Sequence, residues 1–379
     1  MRFAFTEEQV ALRDAARSFL HDCASPDAVR RAMATETGWD PAVWRRIGSE
    51  LGWTSILVPE ACEGAGLGYV ELVALMEEMG AALLCAPFFS TVCLATNALL
   101  LGGTAAQQQA HLPGIAAGTT TATLAWTEPC GRWDAAGIAA VARRDGGDFV
   151  LSGTKTFVVD GHTADLLIVA ARHPGSTGED GVSLFLVPAT TPGIARRPLP
   201  TMDQTRRQAE IRLHDVRLPA AAVLGEAGAG APVLARVLDR AAVALAAEQV
   251  GGAQRCLDLT VEYAKQRTQF GRAIGSFQAI KHMCADMLVK LESARSAAYY
   301  AGWAVATDDP ELPALASLAK AYCSDAYFFC AAEALQIHGG VGFTWEYDVH
   351  LYFKRAKSSE TLLGPPAYHR ELVAQRIGL

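Results

Sequence analysis

The segment Arg267-Thr268-Gln269-Phe270-Gly271 interrupts two long stretches that each predict an α-helix. Residues 233–266 before it contain no proline, and their apolar side chains recur at helical spacing. Residues 276–307 after it show the same pattern. Long helices joined by a short connection are typical of antiparallel neighbours in a helical bundle. The segment therefore predicts a turn between two antiparallel helices of a bundle.

Two further stretches complete this bundle. Residues 313–338 are similarly long and show the same apolar pattern, and residues 367–376 predict a fourth helix. We therefore predict a C-terminal four-helix bundle that occupies residues 227–379.

Before the bundle the sequence changes to short runs rich in β-branched and aromatic residues, cut by Gly, Asp and Pro. This pattern predicts short strands connected by turns. The runs are 119–126, 149–151, 157–159, 166–171 and 182–187. Their spacing predicts a small antiparallel β-domain over residues 119–226.

The first part of the chain predicts helices. Thr6 and Gln9 have the spacing of a capping box, and Asp40-Pro41 supplies an N-cap followed by a proline suited to the first helical turn. Residues 69–85 and 88–101 are further apolar helical stretches. We predict an N-terminal α-helical domain over residues 1–118, and for the whole chain an α+β fold that is mostly α.

Composition excludes several classes of protein. The chain has 379 residues, of which 51% are hydrophobic and 19% charged, so it is too apolar to be disordered. Its net charge is −7 and Lys and Arg form no block longer than a pair, which argues against nucleic-acid binding. No apolar run reaches membrane-spanning length. Glu7 and Glu8 stand where a signal peptide would be apolar, so we expect a cytoplasmic protein with no membrane partner.

The nine cysteines form no CxxC pair and no Cys/His cluster with the spacing of a zinc site. Scattered among apolar neighbours, they predict reduced and mostly buried thiols. We therefore expect neither disulfides nor a metal site.

No Ser/His/Asp set and no Walker loop stands out, but the sequence holds four spaced fragments of interest. Singly, each has an ordinary structural explanation, such as a strand-end turn, a core aromatic side chain, a helix-end charge or a helix C-cap. The fragments are Thr127-Glu128-Pro129, Gly153-Thr154-Lys155-Thr156-Phe157, the Arg267 segment followed by Phe277-Gln278, and Gln336-Ile337-His338-Gly339-Gly340-Val341-Gly342-Phe343.

In their order, their spacing and the predicted domains that contain them, these fragments resemble the acyl-CoA dehydrogenase family across essentially the whole chain. The resemblance implies FAD held between the three domains and across a dimer interface. It places next to the cofactor residues from all four fragments. They are Trp126, Thr127, Phe157, Val158, Val159, Arg267, Gln269, Phe270, Gln278, Gln336, Gly339 and Gly340.

The residue types suit these implied roles. Phe157 offers a flat apolar surface to the isoalloxazine ring. The guanidinium of Arg267 matches a pyrophosphate, here that of the neighbouring subunit. Gly339 and Gly340 allow close backbone approach to the adenosine end.

The sequence departs from the family where the chemistry takes place. The resemblance implies a glutamate base near the C-terminus, and the corresponding residue here is Leu363. In some members the base lies at the start of the first bundle helix, and that position is Ala241, with Ala242 where an arginine often binds substrate. A hydrocarbon side chain cannot accept a proton.

Other carboxylates lie near these positions. Asp239 lies about 200° around a helix from Ala241, and Glu360 lies near the same face as Leu363 but one turn behind it. Glu248 lies about two turns beyond Ala241 on the same helix face, so it is the candidate catalytic base. Its alternative role is that of a buried polar partner, which we favour.

Two departures touch the expected flavin and thioester contacts. A small Gly-Ser pair of the family is replaced by Arg132-Trp133, and the residue that usually brings a hydroxyl near the flavin is Val159. The expected substrate-binding positions are Trp133, Ala242 and Leu363.

The resemblance implies α,β-desaturation of an acyl-CoA thioester, in fatty acid or sterol degradation, by a homo- or hetero-oligomer that passes electrons to a partner such as an electron-transfer flavoprotein. Some family members are heteromers in which one subunit lacks the base, and this chain resembles such a subunit. Two alternatives remain open: a non-catalytic partner subunit without a base, and a flavin-dependent oxygenase on the same fold.

Overall fold

The predicted order of helices, sheet and helices is present in the computed structural model, which describes residues 5–379. The chain divides into two compact units. One contains the described residues up to Arg31 together with Tyr69–Leu84 and Ala242–Leu379, and the other contains Ala32–Gly68 and Cys85–Ala241. The predicted domain bounds at residues 118 and 226 stay a prediction.

Three of the helices before the sheet begin after a residue whose side chain caps them, namely Thr6, Asp40 and Thr104. At Thr6 the predicted capping box is present, because the side chains of Thr6 and Gln9 each accept the other's backbone N–H. Residues Phe89–Thr96 form a helical segment that runs directly into α5. The helices are α1 (Glu7–Cys23), α2 (Pro26–Ala34), α3 (Pro41–Arg45), α4 (Tyr69–Ala81), α5 (Asn97–Gly102) and α6 (Ala105–Ala116).

The middle of the chain forms one sheet in the order β1-β4-β2-β3-β7-β6, with β5 paired to β4. The strands are β1 (Ala122–Ala125), β2 (Val141–Asp145), β3 (Asp148–Val159), β4 (Leu166–Arg172), β5 (Val182–Pro188), β6 (Ile194–Pro198) and β7 (Gln208–Pro219).

The sheet differs in two respects from the predicted antiparallel domain. Strand β1 pairs with β4 in parallel, because the β2–β3 hairpin lies between them in sequence and returns the chain in the same direction. The runs 149–151 and 157–159, predicted as separate strands, belong to the single strand β3, which pairs with β7 over its length. Two shifts of register interrupt that pairing, and the second falls between Lys155 and Val158.

After the sheet, the four predicted bundle helices are present and a further one, α10, precedes the last. Helix α9 packs against α8, α10 and α11. The elements are α7 (Gly230–Gln266), the hairpin β8 (Thr268–Gln269) and β9 (Arg272–Ala273), α8 (Gln278–Ala306), α9 (Leu312–His338), α10 (Val349–Thr361) and α11 (Pro366–Arg376). Within the described residues, none of the helices has the length and apolarity needed to cross a membrane.

Helices α4 and α7 cross at backbone contact. A Cβ added to Gly251 on α7 would lie 1.7 Å from the carbonyl oxygen of Glu77, and one added to Gly80 on α4 would lie 2.0 Å from that of Glu248. Each glycine therefore rests on the carbonyl group of the other helix. Side chains add to the contact with α8, because the carboxylate of Glu77 accepts hydrogen bonds from Arg295 (3.1 Å) and Tyr299 (2.5 Å).

We expect Gly251→Ala to destabilise the protein by about 1–3 kcal/mol or more, because the methyl group must push the two helices apart. The sign of the change in unfolding free energy reports the crowding, because in an uncrowded helix the same substitution stabilises by about 1 kcal/mol. Urea unfolding of both forms measures it. The control is Gly147→Ala in the β2–β3 turn, where a Cβ would meet nothing within 4 Å. Equal or higher stability of Gly251→Ala would contradict the backbone contact.

Candidate flavin and thioester site

The end of β1 is fastened to the middle of β3 by reciprocal hydrogen bonds. The hydroxyl of Thr127 donates to the carbonyl of Thr156 at 2.5 Å, and the N–H of Thr156 donates to the carbonyl of Thr127 at 3.0 Å. Both residues are buried. The two sequence fragments that contain Thr127 and Phe157 are therefore brought together side by side.

A buried ion pair lies directly beneath this connection. The ammonium of Lys155, which is fully buried, contacts the carboxylate of Glu128 at 2.5 Å. That carboxylate also accepts the N–H groups of Ala139 and Ala140, each at 2.9 Å. Burial lowers the pKa of Lys155 to about 8, against the opposing effect of Glu128. The pair thus ties the loop after β1 both to β3 and to the segment before β2.

Phe157 is held in an unusual conformation on β3. Its φ is +55°, a left-handed value that costs energy for a bulky residue, and it coincides with the register shift next to Lys155. The conformation leaves the ring 48% exposed. An exposed aromatic face on a rigid strand is suited to stacking against a flat ring.

The residues next to Phe157 offer few side-chain groups to a ligand. Val158 and Val159 are buried in the core of the sheet, so only their backbones are available to a ligand. The carbonyl of Val159 is already bonded to the hydroxyl of Thr123 at 2.7 Å. Trp126 is buried, and its indole Nε1–H has no hydrogen-bond partner among the described residues.

The loop after Glu128 is folded on itself. Arg132 pairs with Asp134 at 2.7 Å, and Asp134 accepts the N–H of Gly137. Trp133, predicted to contact the thioester, stands between the paired residues and is half-buried.

The Arg267 segment forms the hairpin β8–β9. Phe270 and Gly271, with φ of +53° and +78°, make its two-residue turn, as a type I′ turn requires. Phe270 is 91% exposed and meets Phe277 edge to face at 6.1 Å. Asn or Gly would fit this turn with less strain, and the exposed ring of Phe270 is open to contact from outside the chain.

Ring stacking brings the ends of α7 and α9 together. His338 stacks on Tyr263 with ring centroids 4.2 Å apart, and burial lowers the pKa of His338. Because Arg267 follows Tyr263 by one helical turn and Gln336 precedes His338, the two fragments that contain them share this end of the bundle. Arg267 and Gln336 are exposed, and so is Gln269.

The other residues predicted to contact the adenosine and pyrophosphate part of FAD are accessible to a ligand. A Cβ at Gly339 or Gly340 would meet nothing within 4 Å. Gln278, at the start of α8, shares a hydrogen bond with His282 at 3.1 Å.

At the expected base positions the structure holds hydrocarbon. Leu363 follows α10, is 4% exposed, and has φ +64°, which makes it the third non-glycine residue with positive φ at a predicted site position, after Phe157 and Phe270. Gly364 follows with φ +109°. Ala241 and Ala242 are buried within α7.

Glu248, the candidate base, lies buried in an ion pair. Its carboxylate contacts the guanidinium of Arg355 on α10 at 2.9 Å, and both side chains are almost fully buried. A carboxylate held this way stabilises the α7–α10 contact, and a base would need an unshared oxygen facing the substrate. The geometry therefore favours the structural role for Glu248.

Sequence reasoning assigned no role to three buried basic residues. These are Lys155, Lys320 on α9 and His369 on α11. A lysine within an alanine-rich helical stretch such as α9 was the available signal, because lysine is almost never fully buried without partners.

The residues present fit the FAD that the resemblance implies. Trp126 offers an unpartnered buried N–H, and Phe157 offers an exposed aromatic face. Gly339 leaves its backbone open. Within residues 5–379 no carboxylate forms an ion pair with the exposed Arg267, so its guanidinium is available to a phosphate.

Comparison with known proteins covers nearly the whole chain. Three domain families match it: acyl-CoA dehydrogenase N-terminal domain over residues 6–119, middle domain over 123–216 and C-terminal domain over 228–378.

Similar individual proteins were found by sequence and by structure. Acyl-CoA dehydrogenase IpdE2 of Mycolicibacterium smegmatis is 37% identical over 363 residues, which are 95% of this chain and 96% of that protein. Butyryl-CoA dehydrogenase of Megasphaera elsdenii superposes with a TM-score of 0.92 at 28% identity over the full length of both chains. A chain of the ChsE4-ChsE5 complex of Mycobacterium tuberculosis gives a TM-score of 0.90 at 28% identity over 100% of this chain and 99% of that one.

We expect Lys155→Met to cost about 3–5 kcal/mol of unfolding free energy, because it leaves the buried Glu128 carboxylate without its cation. The double variant Glu128→Gln/Lys155→Met should recover much of that loss. Denaturant unfolding of the three forms measures both changes. If the double variant were no more stable than Lys155→Met, the loss of stability would not come from the uncompensated charge of Glu128.

Proposed function

Because the chain belongs to the acyl-CoA dehydrogenase family, we propose that it binds FAD and an acyl-CoA thioester but supplies no group at position 363 that can remove the α-proton. The family's members are FAD-dependent flavoproteins, so this chain is an FAD-dependent oxidoreductase of the acyl-CoA dehydrogenase type. The predicted family, fold class, cofactor and type of activity are confirmed. The missing base and the individual site residues stay predictions.

The observation that carries the proposal is the buried side chain of Leu363, at the position where the resemblance predicts the family's base. Ala241, the alternative position, is also buried hydrocarbon, and Glu248 is occupied by Arg355. Loss of a positioned base lowers the rate on the order of 10²–10⁴-fold. The chain on its own should therefore desaturate straight-chain acyl-CoA slowly or not at all.

When bound, FAD would accept the β-hydrogen of the acyl chain as hydride. In this proposal Thr127 and the backbone at Val158 and Val159 orient the flavin ring, and Phe157 covers one side of it. Trp126 donates its free indole N–H. These side chains are fixed by β1 and β3, which keeps the ring in a constant place.

The second group of residues would contact the FAD of another copy or of a partner chain. Arg267 binds the pyrophosphate, while Gln269, Phe270 and Gln278 flank it. Gln336, Gly339 and Gly340 line the adenosine end. On the substrate side, Trp133, Ala242 and Leu363 would contact the thioester.

Exposed apolar side chains support an oligomer. Large ones lie on the hairpin, on α8 and α9 and in the segment that follows α9. They are Phe270, Leu288, Val289, Leu318, Tyr322, Phe343 and Trp345. The similar chain from Mycobacterium tuberculosis comes from a complex of two named proteins, which supports a heteromer here. A partner chain would then supply the base, and an electron-transfer flavoprotein would receive the electrons. The cytoplasmic location stays a prediction.

We expect Leu363→Glu to restore part of the rate of desaturation, because it places a carboxylate at the position predicted for the family's base. A large side chain already fits at this buried position. Anaerobic bleaching of oxidised flavin by a straight-chain acyl-CoA measures the effect. Leu363→Gln, of the same shape but without a basic oxygen, is the matched control.

An equal response of the two variants, with FAD and acyl-CoA bound in both, would contradict the assignment of position 363. A purely non-catalytic subunit or an oxygenase would then account better for the chain. Rapid bleaching by the native chain would contradict the missing base, and Glu248→Gln would be the next variant to measure.

A further inference from the structure

Two basic side chains hold the backbone of residues 360–364 from within the bundle. Lys320 on α9 donates to the carbonyl oxygens of Glu360 (3.2 Å) and Gly364 (3.1 Å). His369 on α11 contacts the carbonyl oxygen of Leu363 at 3.0 Å through Nε2. Both side chains are buried. Three carbonyl groups at and beyond the end of α10 are thus satisfied by side chains of two other helices.

The ammonium of Lys320 uses all its donors in this arrangement. Its third hydrogen bond goes to the hydroxyl of Ser324 at 2.9 Å, and Ser324 in turn accepts from Gln249 on α7 at 3.0 Å. In the described part of the chain no carboxylate forms an ion pair with Lys320. The carbonyl groups at the C-terminal end of α10 and the nearby charge of Glu360 favour the charged form. Burial lowers the pKa of Lys320 to about 7.

The hydrogen of His369 can be placed from its surroundings. Burial, with the nearby charge of Lys320, lowers the pKa of His369 to about 3, so the ring is neutral at pH 7. Since a carbonyl can only accept, Nε2 carries the hydrogen and Nδ1 accepts from Ser317 at 3.2 Å. The hydroxyl of Ser317 accepts from Arg376 at 2.8 Å. A directed chain of hydrogen bonds therefore ends on the Leu363 carbonyl.

These contacts act on a backbone that would otherwise relax. Leu363 and Gly364 both have positive φ, +64° and +109°, and such a value costs a leucine energy. Gly364 cannot be replaced easily, because a Cβ there would lie 2.4 Å from the ring of Tyr368. The conformation at 363 persists because neighbouring groups fix both of its sides.

We propose that Lys320 and His369 are positioning residues that set the direction of the side chain at position 363 by binding the carbonyls around it. This inference rests on the proposed function, in which that side chain faces the α-carbon of the thioester. Neither residue touches the substrate. They act through the backbone of Leu363 and Gly364.

The first test uses His369 in the Leu363→Glu protein. His369→Leu removes the hydrogen bond to the Leu363 carbonyl, whereas His369→Gln keeps an N–H donor at the place of Nε2. We expect His369→Leu to lower the rate of flavin bleaching at saturating acyl-CoA about tenfold, the loss of one well-placed buried hydrogen bond. His369→Gln should retain most of the rate. Flavin content and the Kd for acyl-CoA should be unchanged in both.

The second test does not depend on activity. Hydrogen exchange of the peptide 361–366 in the native chain should rise about tenfold in Lys320→Met and in His369→Leu. Lys357→Met is the control, because Lys357 is an exposed lysine on α10 that pairs with Glu360 and makes no contact with the carbonyls. Exchange in α8 should stay unchanged. If Lys320→Met does not fold, the His369 pair alone decides the outcome.

The two proposals fail in different ways. If Leu363→Glu has no activity while exchange rises as expected, the assignment of position 363 is wrong and the backbone role of the two residues stands. If exchange at 361–366 is unchanged, or rises equally throughout α8 and α9, the positioning role is wrong. A rate for His369→Gln as low as for His369→Leu would also overturn it.

Discussion

The ammonium group of Lys320 must be satisfied inside the bundle although no carboxylate within residues 5–379 forms an ion pair with it, and the arrangement of α7, α9, α10 and α11 meets that requirement. Its donors reach Ser324, Glu360 and Gly364, so the end of α10 can lie only where those carbonyls meet the lysine. Removing a buried cation from water is expensive unless every donor finds an acceptor. The turn that contains Leu363 therefore has little freedom to move.

The other unit also contains a buried lysine whose ammonium group is satisfied by hydrogen-bond acceptors. Lys155 is also fully buried, but its partner is the carboxylate of Glu128. Each lysine stands next to a bulky residue with positive φ: Phe157 follows Lys155 by two positions, and Leu363 lies between the carbonyls that Lys320 binds. Strained residues of this kind persist only where surrounding groups over-determine them. Both are positions at which the family resemblance predicts cofactor or catalytic contacts.

Much of the fold could be predicted from the sequence, because long apolar stripes without proline specify α7, α8 and α9 locally. Strands β2, β6 and β7 could not be predicted, because their exposed charged residues hide the two-residue alternation of apolar and polar side chains. The candidate flavin residues were predicted from the order of four fragments and stay a prediction. The ion pair of Glu248 with Arg355 joins residues more than a hundred positions apart, so spacing along one helix gave no sign of it.

Exchange of the α-protons of an acyl-CoA in D₂O tests the central claim most directly, because it reports proton removal separately from hydride transfer. The measurement uses the FAD-loaded chain, purified alone, with a bound straight-chain acyl-CoA under anaerobic conditions. The account predicts no deuterium at the α-carbon beyond the uncatalysed rate, although the thioester is bound. Deuterium incorporated at an enzymatic rate by this chain alone would contradict it and would show that a base is present.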